Sequence, residues 1–107
     1  MAKILHVEDQ VLWRDVVSEF FIDNGHEVVS LCSLGKARKE DLEPYDLIIV
    51  DGNLGEYKDD GVVWAEELFN NGKNVILLRG PSCTKTKVPE IYKGDFVKRS
   101  RELLSMF

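Results

Sequence analysis

Apolar residues along this chain fall into short unbroken runs separated by stretches of helical period. Leu47-Ile48-Ile49-Val50 has no polar interruption and is closed by Asp46 on one side and Asp51-Gly52-Asn53 on the other. A run that short, β-branched and bounded by polar residues predicts a strand buried on both faces. Lys3 to Val7 predicts an earlier strand, ending at Glu8-Asp9. Gln10 to Asn24 carries Leu12, Val16, Val17, Phe20 and Phe21 at helical spacing, with Asp9 available as N-cap and Gly25 as the residue that ends the helix. His26 to Leu31 predicts the second strand. Ser33 can cap a short helix to about Asp41 or Leu42, which Pro44 stops. Gly61 to Asn71, with Val62, Ala65, Leu68 and Phe69 on one side, predicts a third helix ended by Gly72. Asn74 to Leu78 predicts the fourth strand, ending at Arg79-Gly80.

The pattern weakens from Pro81 to Gly94, where at most a short helical turn fits around Val88 to Tyr92. Asp95-Phe96-Val97-Lys98 predicts the fifth strand. Ser100 would cap a final helix with Leu103, Leu104 and Phe107 as its apolar side. Strands alternating with helices imply an α/β class, with a parallel sheet covered on both faces and residues 1–107 forming one domain. Parallel topology also brings strand ends together, so Glu8, Asp9, Asp51, Arg79 and Lys98 are expected on one rim. Ligands of open α/β sheets bind outside the carboxyl ends of the strands.

Composition narrows the chemistry. A net charge of −5 argues against nucleic acid as a direct partner, because phosphate backbones need a basic face. No apolar run approaches the ~20 residues of a membrane span, and the N-terminus lacks the apolar core and cleavage site of a secretory signal. Cys32 and Cys83 have no CxxC spacing and are read as reduced thiols, so a cytoplasmic location is expected. His6 and His26 lack metal spacing and are read as structural. Trp13 and Trp64 are expected to be partly exposed helix residues or partner contacts.

Three carboxylates gathered in one pocket repel, which raises the pKa of at least one unless a cation intervenes. Mg²⁺ is a hard ion that takes oxygen ligands and keeps several waters, so a few carboxylates suffice. Plainer roles stay open: Asp51 as a turn former, Glu8-Asp9 as a helix cap with a first-turn acid, Lys98 as a solvated lysine.

The acidic pair Glu8-Asp9, Asp51 after the third strand, Asp60-Gly61 before the third helix, and Lys98 resemble, in order and spacing, the receiver domain of two-component response regulators. That resemblance implies a flavodoxin-like three-layer sandwich with a five-stranded parallel sheet in the order 2-1-3-4-5, here with a short or degenerate fourth helix. It implies Asp51 as phosphoacceptor, with a phosphohistidine on a histidine kinase or phosphotransfer protein as donor. Glu8, Asp9, Asp51 and the backbone carbonyl of Asn53 would hold Mg²⁺, and Lys98 would contact the phosphoryl oxygens. The output would be altered affinity for a downstream protein partner, in a signalling domain that is not an enzyme. A homodimer is left open.

The chain departs from the family on one side. Arg79 stands where receivers usually carry Thr or Ser. It can grip a phosphate, pair with Asp51 or Glu8, or turn outward. Counting from Lys98, the family's switch aromatic falls on Asp95, and its proline, joined by a cis bond, falls on Arg99. A trans bond is expected there. These departures favour a rival in which the chain is a pseudo-receiver, a protein-interaction module that works without phosphorylation. An aspartyl-phosphate phosphatase ranks low, because Asp51-Gly52-Asn53 lacks a second acid, and an acidic first loop argues against a flavodoxin.

Overall fold

A computed structural model describes residues 1–52, 54, 59–80, 85–96, 98, 99, 102 and 105. Its elements are β1 (Lys3–Val7), α1 (Val11–Asp23), β2 (Glu27–Leu31), α2 (Leu34–Ala37), β3 (Leu47–Asp51), α3 (Asp60–Asn70), β4 (Val75–Arg79) and β5 (Glu90–Tyr92). The strands form one parallel sheet in the order β2-β1-β3-β4-β5. This is the flavodoxin-like topology.

The period-two alternation of the strands sorts the apolar side chains to opposite faces. Ile4, Leu47, Ile49, Ile76 and Leu78 face Val17 and Phe21 of α1. Leu5, Val7, Ile48, Val50, Val75 and Leu77 face Leu34 and Ala37 of α2 and Val62, Ala65 and Leu68 of α3. Every residue of β3 and β4 is buried, as unbroken apolar runs demand of central parallel strands. Gly25 and Gly72 take φ of 85° and 78° just past α1 and α3, the left-handed conformation in which a side chain is costly.

Several expectations are corrected. Asp9 does not cap α1; the cap position is Gln10, without a side-chain bond. Leu12 is 71% exposed, and the face of α1 that packs is built by Val17 and Phe21 with Trp13, Val16 and Phe20 at its margin. α2 ends at Ala37, short of Asp41, although Ser33 does cap it by accepting a hydrogen bond from the Lys36 amide at 3.2 Å. Trp64 is buried rather than partly exposed, within the α3 core, and Phe69 is exposed at the far end of that helix.

The largest correction concerns the fifth strand. It is Glu90-Ile91-Tyr92, where a helical turn was expected, and it pairs with Leu77 to Arg79. Asp95 lies in a 3₁₀ turn over Lys93–Asp95, and Phe96, Lys98, Arg99 and Glu102 have helical backbone. Phe96 looked like a strand residue because it is apolar between polar neighbours. It is a helix-entry anchor instead, packed edge-on against Phe20 at 5.6 Å and Trp13 at 6.5 Å. Lys98 is therefore exposed and not at a strand end, and Arg99 makes a surface pair with Glu102 at 2.9 Å. No cis peptide bond occurs among the described residues. Asn53, Cys83, Ser100, Leu103, Leu104 and Phe107 lie outside them.

Candidate functional site at the C-terminal rim

The rim is assembled from strand ends. β1 stops at Val7 and delivers Glu8, which has no solvent exposure; β3 delivers Asp51, which has 3%. Asp9, one residue on from Glu8, is exposed. One carboxylate oxygen from each of Glu8, Asp9 and Asp51 lies within 4.8 Å of the others. Three of the acids expected on one rim are thus together.

Glu8 is held from two sides. Its Oε1 accepts a hydrogen bond from the Gln10 amide at 3.2 Å, satisfying one of the donors that every helix start leaves over. Arg14, a turn further along α1, donates Nη1–H to the Glu8 carbonyl at 2.8 Å. Glu8 Oε2 is buried and accepts no hydrogen bond. A buried carboxylate oxygen without a donor is costly as an anion. Burial, and then the charge of Asp51, push Glu8 up to about 8, against the opposing pull of Lys93.

Among the described residues, the ammonium against these carboxylates is that of Lys93, and Lys98 is exposed. The Lys93 ammonium lies 3.4 Å from Glu8 Oε2 and 3.5 Å from Asp51 Oδ2. The first contact is an ion pair without hydrogen-bond alignment, and the ammonium donates instead to the other oxygen, Oε1, at 3.5 Å. The same ammonium sits 5.4 Å from the centroid of the Trp13 ring. Lys93 follows β5 directly, so a strand placed too late in the sequence carried the choice of lysine with it. The signal was present: Pro89 followed by a charged-apolar-aromatic triplet reads as a short edge strand.

Arg79 ends β4 on the next strand over. It is buried, with 6% exposure, and its Nη1 donates to Glu90 Oε2 at 2.7 Å. Of the alternatives left open by the sequence, a partnership with Glu90 was not among them, because Glu90 was not placed on a strand. A side chain at Gly52 would meet Arg79 Cγ at 3.2 Å and Nε at 3.4 Å, so Arg79 lies where that side chain would be. Gly61 has a different reason to be glycine: a Cβ there would collide with the Asp51 carbonyl oxygen, so α3 starts in direct contact with the backbone of β3. Asp59, just before α3, takes φ of 69°, which Asp tolerates better than most residues.

His6, also on β1, is fully buried, and neither ring nitrogen has a hydrogen-bond partner. Burial first, with the charges of Lys93 and Arg14 adding to it, lowers its pKa to about 3, so the ring is neutral. His26 has a plainer structural job, accepting the Ala2 amide on Nδ1 at 3.0 Å.

The donor set fits a hard divalent cation. All three groups are carboxylates, their oxygens are within reach of one ion, and one buried oxygen is short of a partner. Such a cluster fits an alkali-earth ion better than a soft metal.

No family model and no curated protein matches the sequence. Solved structures do. The response regulator TrrA of Thermotoga maritima, in complex with Mg²⁺-BeF, matches with a TM-score of 0.82 over 100% of both chains at 21% identity. The chemotaxis protein CheY4 of Vibrio cholerae matches at 0.74 over 98% of this chain and 97% of that one, with 22% identity. A CheY-like receiver domain from Methylobacillus flagellatus matches at 0.78 over 100% and 99%, with 18% identity. The chain has the fold of response regulator receiver domains, built here around its own rim of Glu8, Asp9, Asp51 and Lys93.

Proposed function

We propose that residues 1–107 act as a phosphoacceptor signalling domain of a two-component system, with Asp51 as the acceptor. One observation carries this: three carboxylates converge within 4.8 Å at the strand ends, and an ammonium lies against two of them. In the transfer, an Asp51 carboxylate oxygen attacks phosphorus, an O–P bond forms, and the bond to the donor breaks. The donor nitrogen of a histidine kinase or phosphotransfer protein leaves with the electron pair of the broken N–P bond, and the imidazole is neutral once released because its other ring nitrogen carries a proton. Mg²⁺, when bound by Glu8, Asp9 and Asp51, would neutralise charge on the site and on the phosphoryl oxygens. Lys93 takes the phosphate-contact role first expected of Lys98, since its ammonium already faces Asp51. The transferred group goes onto the domain's own side chain, so no separate substrate is turned over. The readout would be altered affinity for a downstream protein partner, and a cytoplasmic location belongs to the same proposal. Among the described residues no helix is long and apolar enough to cross a membrane.

Incubation with acetyl phosphate and Mg²⁺, followed by intact mass and phosphate-affinity gels, tests it. The expected result is a single phosphoryl adduct that disappears in Asp51→Asn. An adduct that persists in that variant, or none in the parent protein, rules the acceptor role out.

A phosphorylation-independent pseudo-receiver has one specific observation in its favour. The Lys93 ammonium lies against both Glu8 and Asp51, so the chain supplies the cluster with a counter-ion of its own. In that case Mg²⁺ at millimolar concentration would leave the amide NMR shifts of residues 8, 9 and 51 unchanged.

A further inference from the structure

Lys93 reaches the rim from a short stretch of backbone. It follows a strand of three residues, of which only Ile91 is buried, and it begins a 3₁₀ turn. Its side chain nevertheless has only 14% exposure. Its ammonium lies 3.4 Å and 3.5 Å from the two carboxylate oxygens of Glu8 and 3.5 Å from Asp51 Oδ2. Each of these distances exceeds the ~2.7–2.9 Å of a strong charge-assisted hydrogen bond, so no single carboxylate fixes the cation. Its remaining neighbour is the Trp13 ring, with the ammonium over the face at 5.4 Å from the centroid. That lies inside the ~6 Å reach of a cation–π contact, for which tryptophan offers the strongest ring. Trp13 is itself braced. Its ring meets Phe96 edge-on at 6.5 Å, and buried Phe96 meets Phe20 edge-on at 5.6 Å. Trp13 and Phe20 stand two turns apart on one side of α1, so core packing sets where the indole lies.

We propose that Trp13 is a positioning residue whose indole face holds the Lys93 ammonium against Asp51. Its effect on transfer rests on Asp51 being an acceptor; the hold itself does not. The carboxylates around Lys93 change their charge balance in the proposed reaction. A divalent cation at Glu8, Asp9 and Asp51 would share their negative charge and repel the ammonium. The ring has no net charge, and a hard cation takes oxygen ligands in preference to it. Its attraction for Lys93 therefore stays when that of the carboxylates falls. A free lysine side chain also has many rotamers, and the ring restricts them before a donor arrives. An aliphatic residue at position 13 would fill the same margin of α1 and offer the ammonium no negative face. Trp13 thus ties α1 to the residue that follows β5, and it acts on the acceptor only through Lys93.

The test measures initial rates of Asp51 modification by acetyl phosphate and Mg²⁺ on the full chain. The NMR signal of the Lys93 ε-methylene, moved upfield by the indole ring current, is the second readout. Trp13→Leu is expected to slow modification by about threefold or more and to move that signal downfield, toward the signal of exposed Lys98. Trp13→Phe, which keeps an aromatic face, is expected to stay within about twofold of the parent rate. In a Lys93→Ala background Trp13→Leu should add nothing, because an effect carried by Lys93 vanishes with it. Trifluorinated tryptophan nearly keeps the shape of the ring and weakens its negative face. Incorporating it should slow the parent protein and leave Trp13→Phe unchanged, where only Trp64 takes the label. An adduct that forms in the parent while Trp13→Leu matches the parent rate overturns the positioning role alone, as does an equal slowing in the Lys93→Ala background. With no Asp51 adduct in the parent, the acceptor reading fails and the NMR signal decides the hold: a downfield move in Trp13→Leu supports it, and an unchanged shift overturns it.

Discussion

The Lys93 ammonium lies 3.5 Å from Oδ2 of Asp51, and both groups are buried or nearly so. If Asp51 is the acceptor proposed above, a cation preset at that distance would stabilise the charge on the incoming phosphoryl oxygens without reorganising at the moment of transfer. Lys93→Ala is therefore expected to slow Asp51 modification by acetyl phosphate by roughly 10- to 100-fold. Lys98→Ala, at an exposed helical position, is expected to stay within about twofold of the parent. Initial rates from phosphate-affinity gels separate the two, and a loss in Lys98→Ala with Lys93→Ala at the parent rate would return the role to Lys98.

Glu8 and His6 give the metal-free protein opposing pH dependences. Glu8 is raised from 4.5 to about 8, so the folded state keeps a proton that the unfolded chain loses. The stability this contributes is complete below pH 4.5 and drains away as pH rises toward 8. His6 is lowered from 6.5 to about 3, so its contribution is complete above 6.5 and drains away as pH falls toward 3. Together these two groups make stability rise from about pH 3 to 4.5, run level to 6.5, and fall to 8. Each limb has a slope of at most ~1.4 kcal/mol per pH unit. Urea midpoints across this range check it. Glu8→Gln should abolish the falling limb, and His6→Leu should extend it down to about pH 4.5. A falling limb that survives Glu8→Gln assigns it to another group.

Trp13 is placed to report on the rim. The Lys93 ammonium stands 5.4 Å from its ring centroid while also touching Glu8 and Asp51. Mg²⁺, if held by the carboxylate cluster as proposed, would weaken the hold of the carboxylates on Lys93 and change the field at the indole. Titration with Mg²⁺ is expected to change the emission of the parent protein and leave Trp13→Phe flat, because Trp64 is buried in the core under α3. A signal retained in Trp13→Phe would place the effect elsewhere.

Gly61 tolerates no side chain. Adding one methyl group sets it against the carbonyl oxygen of Asp51, a backbone atom that cannot rotate away. Gly61→Ala should cost about 1–3 kcal/mol, the range of an overpacked interior, despite the higher helix propensity of alanine. Gly35→Ala is the control, since a Cβ there meets nothing within 4 Å, and it should be neutral or slightly stabilising. Chemical denaturation of the two variants decides; equal midpoints would mean that α3 shifts freely.

The fold was legible wherever residues obey one period over several turns or a whole strand. β1, β3, β4 and the bodies of α1 and α3 follow from apolar runs and 3.6 spacing, and so does the convergence of Glu8, Asp9 and Asp51. What failed was the far edge of the sheet. β5 has three residues, and one buried side chain, Ile91, gives no period to detect. Phe96 carried a false strand signal because burial of an aromatic at a helix entry and burial within a strand look alike in sequence. The misplaced strand then moved every residue counted from it. Measured from Lys93, the position three residues earlier is Glu90, and the next residue is Gly94. Arg79 and Glu90 thus replace both positions expected to carry a hydroxyl and an aromatic, and they do so as a bonded pair at 2.7 Å. Leu12 and Phe69 were misassigned because apolar spacing marks a stripe wider than the part that finds a neighbour.

The sheet divides the apolar interior into two oil layers with a common wall: Phe21 and its neighbours on one side, Leu68 and its neighbours on the other. Neither layer has enough surface to survive alone, since removing one would wet the back of every strand that the other depends on. Damage to either side should therefore melt both at once, and the pocket acids, seated where the wall ends, would scatter in the same step.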